Sequence, residues 1–295
     1  MSDTEYGVNI KEPENQVFVS TKKVEEEIDP KKMNYKDHCC EIVREAIPYE
    51  LANFIYNYLL LKREAVEYMY SKKIVQEEKA LGLFGTWKDQ QIPNTYSHYG
   101  DMVIETLLML LLPKMRELTG LNLIPCYGYT RIYKKGDVLA RHLDRDSCER
   151  SCTIHFGGEP WEISIDPTKQ LFVTDTIQHP THQEAIVKPN APKGISLVMK
   201  PGDMLAYWGT HMEHWREPFE GTNHAQAFLH YNDADGPFAN QNLYDKRPLL
   251  GVPSLGAAAI AAQGEERVKT DNAQGERREV RDIYQPTWDE ELRNK

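Results

Sequence analysis

The sequence predicts a mainly β fold with packed helices, an α+β sandwich or barrel. Three observations carry that prediction. Short alternating segments separated by turn residues follow one another from residue 123 to 232. Two stretches of helical period precede them, within 37–73 and 99–120. The longest aliphatic run, 107–112, stops at Pro113, far short of the about 20 apolar residues a membrane span needs.

Taken in order, residues 1–33 are polar and charged without a periodic apolar face, which reads as a mobile arm holding at most a short strand at 16–19. Residues 34–122 form a helical support region. Apolar residues recur at helical intervals through 37–73 (Ile42, Ala46, Leu51, Ile55, Leu59), and Pro48 suits two helices meeting at Ile47-Pro48. A further helix starts near Tyr99 and runs past Pro113, with a kink or restart, to Thr119-Gly120. The expected β core, 123–235, has strands at 127–133, 138–142, 152–156, 161–165, 171–174, 184–187, 195–199, 204–208 and 224–231. Many short strands at this spacing make a sandwich or barrel. Helices and strands together read as one domain, and 236–295 as a peripheral extension, its last forty residues rich in Ala, Gln, Glu and Arg.

Composition narrows the function classes. The 295 residues carry 35 basic and 45 acidic side chains, a net charge of −10, which opposes general binding to a phosphate backbone, so no nucleic-acid partner is expected. No basic segment followed by an apolar stretch lies behind Met1, and the expectation is a cytoplasmic protein with neither membrane nor secretory signal. Five cysteines without paired CxxC spacing read as free thiols.

The chemistry sits in a few residues. His142-Leu-Asp144 ends an expected strand, where the period of two puts imidazole and carboxylate on one face, as a shared metal requires. The spacing alone is weak, since His182-Gln-Glu184 and His211-Met-Glu213 share it. Downstream, His214 completes two His and one Asp, the facial triad of non-haem Fe(II) oxygenases, which leaves three coordination positions open. His211 is the rival ligand if the loop register differs by three.

At these residues the chain resembles the Fe(II)/2-oxoglutarate-dependent dioxygenases, specifically the prolyl 4-hydroxylase-like branch, over roughly 127–233. The matching elements come in order: Tyr133-Lys-Lys-Gly136, then His142-Leu-Asp144, then Lys200-Pro-Gly-Asp203, then His214 with Pro218 four residues on. The resemblance implies a double-stranded β-helix, an eight-stranded jelly roll of cupin-like form. It implies Fe(II) at His142, Asp144 and His214, 2-oxoglutarate as cosubstrate, and O2. The reaction it implies is hydroxylation of an unactivated C–H, with succinate and CO2 as coproducts. Peptidyl proline is the favoured substrate, a small molecule or free amino acid the alternative.

By the same resemblance, Tyr133 contacts the cosubstrate and Arg150 is a candidate substrate residue; His230, which the strand period turns into the barrel if His224 faces it, is a second candidate. One departure stands out. A Lys or Arg about ten residues after the distal histidine normally anchors the distal carboxylate of 2-oxoglutarate, because a dianion in a dry barrel needs a charged partner. That position is His224 here, helped by Gln226 on the same strand face, and Arg131, on the same face as Tyr129 and Tyr133, is the other candidate cation. Asp144 opposes a halogenase, in which halide replaces the carboxylate. A non-catalytic jelly-roll binding module and a cupin-type enzyme without 2-oxoglutarate stay open.

Overall fold

The computed structural model describes residues 29, 32–77, 80 and 82–253. The expected strand at 16–19 lies outside them. After a single helical turn α1 (Tyr35–His38), strand β1 (Cys40–Val43) leads to helix α2 (Tyr49–Ser71), strand β2 (Tyr96–Tyr99) and helix α3 (Met102–Thr119). The β core follows as β3 (Leu123–Tyr133), β4 (Leu139–His142), β5 (Arg150–Gly158), β6 (Ile163–Ile165), β7 (Val173–Gln178), β8 (Gln183–Val187), β9 (Ile195–Leu197), β10 (Met204–Tyr207), β11 (His214–Arg216) and β12 (His224–Asp233). A short helix α4 (Ala239–Asn242) and a 3-10 turn (Leu243–Lys246) close the described chain.

The strands form a six-stranded sheet ordered β1-β10-β5-β12-β3-β2 and a four-stranded sheet ordered β4-β11-β6-β9. The central four of the large sheet and the four of the small one alternate along the chain except at β6 and β9, which follow one another in the small sheet, and every pairing is antiparallel. This is the winding of a double-stranded β-helix. β7 and β8 pair only with each other, so the expected strands at 171–174 and 184–187 are an inserted hairpin rather than part of the eight.

Side-chain alternation on β12 assigns the two faces of the large sheet. Ala225, Ala227 and Leu229 join the apolar cluster of α2 and α3, whereas His224, Gln226, Phe228 and His230 point into the barrel, as a period of two requires. α2 follows Pro48 and buries Ala52, Ile55, Leu59 and Val66, one stripe of a 3.6 period. α3 is capped by Asp101, which accepts from the N–H groups of Val103 and Ile104 at 2.9 and 3.2 Å, and it ends on Gly120 at φ 70°. Pro113 stays within a continuous helix because it lies on the exposed side.

Two expectations are corrected. Residues 40–43 form a strand, not the first of two helices. Cys40 to Val43 pair in register with Tyr207 to Met204 and extend the sheet beside β10, so the non-local ladder overrides the local helical period. Strand β2, which the sequence left without an element, is the opposite edge, against β3.

Candidate active site

β4 and β11 are neighbours in the small sheet, and their register sets His142 directly opposite His214. Asp144 leaves the end of β4 and turns back. Its N–H donates to the Gly209 carbonyl at 2.9 Å, and a Cβ on Gly209 would stand 2.4 Å from Asp144 Oδ2, so only glycine admits the carboxylate there. Asp144 Oδ1 then lies 3.7 Å from His142 Nε2 and 3.6 Å from His214 Nε2. All three ligand atoms lie within 4.8 Å of one another. With metal bonds of about 2.1 Å, ligands at right angles stand about 3 Å apart, so the two Asp144–His separations lie within about 0.7 Å of those in a facial triad.

The imidazoles are also in the right orientation. His142 Nδ1 lies 2.7 Å from the Ala140 carbonyl and His214 Nδ1 3.0 Å from the Met212 carbonyl, contacts that require Nδ1–H and leave each Nε2 lone pair for a metal. Burial, with His214 adding to it, pushes the His142 pKa down to about 4. Burial alone would raise Asp144, but His214, His230, His142 and a hydrogen bond from Ser151 outweigh it and hold the carboxyl below its usual range. Two imidazole nitrogens and one carboxylate suit Fe(II).

Asp144, Cys148 and His230 form an overlapping cluster. Burial raises the Cys148 thiol well above its ordinary pKa, so the sulfur stays protonated, 3.0 Å from the Tyr127 hydroxyl, and the first triad is the better metal site. His211, the rival ligand, is exposed and stacks on Trp208 at 4.0 Å. The triad opens into a cavity of about 320 Å³ walled by Tyr127, Tyr129, Phe228 and Leu139, with His230 at its side and Asp89 and Gln91 across it. His230 Nδ1 is 2.8 Å from Ser151 Oγ, and burial takes its pKa down to about 4. Arg150 does not line this cavity: its guanidinium stacks 4.0 Å from the Trp208 ring and lies 3.6 Å from Glu149.

Deeper in the barrel the tyrosine of the Tyr-x-x-Gly pattern is fully buried. Its hydroxyl accepts from Arg131 Nη1 at 3.2 Å and from Gln226 Nε2 at 3.5 Å. The glycine of that pattern, Gly136, makes the β3–β4 turn at φ 84°. Neither candidate cation for the distal carboxylate is well placed. Arg131 is already neutralised by Asp89 at 2.8 Å. Burial, with the Arg216 charge and His155 adding to it, drives the His224 pKa well below its ordinary value, so it is neutral at physiological pH.

The free cation is Arg216, which sequence reasoning missed. Four described arginines are buried, and three have carboxylate partners: Arg131 with Asp89, Arg141 with Asp166 and Glu213, and Arg247 with Glu105. Arg216, 1% exposed, has none among the described residues. It donates to the Trp161 carbonyl at 2.5 Å and to Gln226 Oε1 at 2.7 Å, and its Nε has no partner. An unpaired buried guanidinium is costly, and burial lowers its pKa to about 10. Such a group suits an incoming carboxylate. The signal was in the sequence: Arg216 is two residues after His214 on a strand, and period two sends both into the barrel.

No family model and no curated protein matches the sequence. Among solved structures the chain is similar to a prolyl-4-hydroxylase from Pseudomonas putida (12% identity, covering 66% of this chain and 94% of that one, TM-score 0.39). It is similar to HygX from Streptomyces hygroscopicus with nickel, 2-oxoglutarate and hygromycin B bound (12% identity, 68% and 85% covered, TM-score 0.46). It is also similar to EctD from S. alaskensis with 2-oxoglutarate and 5-hydroxyectoine (12% identity, 73% and 83% covered, TM-score 0.47). At these identities the likeness is one of backbone course, and the residues of the site stand on their own geometry. Among the described residues no helix is long and apolar enough to cross a membrane.

Proposed function

We propose that this chain is an Fe(II)- and 2-oxoglutarate-dependent dioxygenase that hydroxylates an unactivated C–H bond. The observation that carries the reading is the pairing of two features in one barrel: a triad of His142, His214 and Asp144 with both Nε2 atoms facing the carboxylate, and a buried Arg216 without a carboxylate among the described residues. Fe(II) and 2-oxoglutarate, when bound, supply the oxidising chemistry, in which one atom of O2 enters the substrate C–H, the other enters succinate, and CO2 leaves.

The protein's own residues do the rest. His142, Asp144 and His214 hold the ion from one side and leave the other side to ligands. Arg216 pairs with the distal carboxylate, with Gln226 and the Tyr133 hydroxyl beside it to complete its hydrogen bonds. A binding module that had lost the cosubstrate has no reason to keep a desolvated, unneutralised guanidinium, which favours the enzyme.

The substrate we propose is a peptide side chain such as proline. A cavity of about 320 Å³ with Tyr127, Tyr129 and Phe228 as walls suits one small ring or aliphatic group and keeps water from the reacting C–H. The test is turnover under air with Fe(II), 2-oxoglutarate and a panel of peptides and free amino acids. Succinate formation matched by a mass gain of one oxygen atom on a peptide supports the reading. Oxidation of a substrate without succinate would point to a cupin-type enzyme instead.

A further inference from the structure

Gln91 comes from the segment between α2 and β2, far in sequence from both ligand strands, and reaches across the cavity to the triad. Its Oε1 accepts from Nη1 and Nη2 of Arg131, each at 3.2 Å. A guanidinium has only donors, so this contact fixes the amide: the oxygen faces Arg131 and the NH2 faces the other way. There the nitrogen stands 3.4 Å from His142 Nε2. Because His142 Nδ1 is committed to the Ala140 carbonyl, that Nε2 carries the lone pair a metal would take.

The placement is held from several sides. Asp89 pairs with Arg131 at 2.8 Å and accepts from the Gln91 backbone N–H at 2.7 Å. The next residue, Ile92, is fully buried against Tyr133 and Leu139. When a cation occupies the lone pair of His142, the Gln91 NH2 loses its acceptor while it still lines the cavity that holds the triad. An anionic oxygen bound to that cation is the kind of acceptor that would replace it.

We propose that Gln91 positions the metal-chelating end of the 2-oxo acid by donating a hydrogen bond from its carboxamide to a carboxylate oxygen on the open face. The proposal rests on the dioxygenase reading above. It assigns the two ends of the cosubstrate to different parts of the chain, Arg216 to the distal carboxylate and Gln91 to the 2-oxo acid end.

The test uses the full chain loaded with Ni(II), which supports no turnover, and measures by calorimetry the binding of Ni(II), then of 2-oxoglutarate, then of pyruvate, which lacks the distal carboxylate. A hydrogen bond to a charged group is worth about a tenfold effect or more, so Gln91→Leu is expected to weaken both acids about tenfold while Ni(II) affinity stays as in wild type. Gln91→Glu, which keeps an acceptor for Arg131 but puts negative charge beside the metal, is expected to tighten Ni(II) and weaken both acids further. Opposite movement of metal and acid affinity is something a merely structural role cannot produce. Wild-type affinity of Gln91→Leu for both acids overturns the proposal, as does a loss confined to 2-oxoglutarate or a parallel loss of metal and acids. Wild-type protein that takes Ni(II) but neither acid overturns the dioxygenase reading itself.

Discussion

Replacing Arg216 with Met separates binding from stability, because the same charge has opposite effects on the two. In the free protein the guanidinium is buried without a carboxylate, and its pKa falls from 12.5 to about 10. That shift corresponds to at most about 3.4 kcal/mol of destabilisation of the charged form. Arg216→Met removes it but gives up hydrogen bonds to Trp161 and Gln226, each worth about 1 kcal/mol, and stacking on the Trp161 ring worth up to about 1 kcal/mol. The balance is near zero or slightly stabilising. The variant is therefore expected to melt at the wild-type temperature or up to about 4 °C higher. Binding behaves otherwise. Truncating one partner of a buried, hydrogen-bonded charge pair costs about 3 kcal/mol, so the Kd for 2-oxoglutarate should rise about 100-fold. Thermal melts and calorimetry on the Ni(II)-loaded variant read both. Pyruvate, lacking the distal carboxylate, should bind wild type and variant alike. Unchanged 2-oxoglutarate affinity in Arg216→Met would refute the anchor, and an equal loss of pyruvate would show that Arg216 acts at the other end.

His142→Ala and Asp144→Ala should each lose iron after purification while keeping the wild-type circular dichroism spectrum, since the sheet is held by apolar residues away from the triad; His211→Ala should retain iron, and metal analysis that finds the reverse would shift the ligand register. The 2-oxoglutarate Kd should stay flat from about pH 6.5 to about pH 8.5, because Arg216 remains charged there and His224 neutral; a rise through neutrality would return the anchor to a protonated His224. Metal-free protein should lose stability in acid. His142, His155 and His230 have folded pKa values of about 4, below the unfolded 6.5, so unfolded chains take up protons first and stability falls as pH drops from 6.5 towards 4. At pH 5 each contributes a loss of about 2 kcal/mol as an upper bound, and a melting temperature unchanged between pH 7.5 and pH 5 would contradict their buried, neutral state.

What could be read from the sequence was whatever depends on period and local spacing. The strand period gives the inward set His224, Gln226, Phe228 and His230, whereas Asp144, past the end of β4, joins His142 through the turn held by Gly209 rather than by that period. Turn chemistry marked Gly136 and the Pro-Gly turn at Gly202, both at positive φ. Arg216 was equally legible by the two-residue offset from His214, but attention to the usual distance from the distal histidine led to His224. Gln91 carried no signal at all. It reaches the site only because β2 pairs with β3, a non-local contact no spacing rule encodes. The same holds for Asp245, beyond the barrel, which pairs at 2.7 Å with Arg145, the residue after Asp144, and brings 236–253 closer to the cavity than a peripheral extension suggests.

The most direct test of the central claim is anaerobic titration of the metal-free protein with Fe(II) and then 2-oxoglutarate, followed by visible absorption. One Fe(II) per chain, and a weak charge-transfer band that appears only on adding 2-oxoglutarate and is absent in Asp144→Ala, are the predicted results. A wild-type protein that binds iron but develops no band at millimolar 2-oxoglutarate would contradict the account.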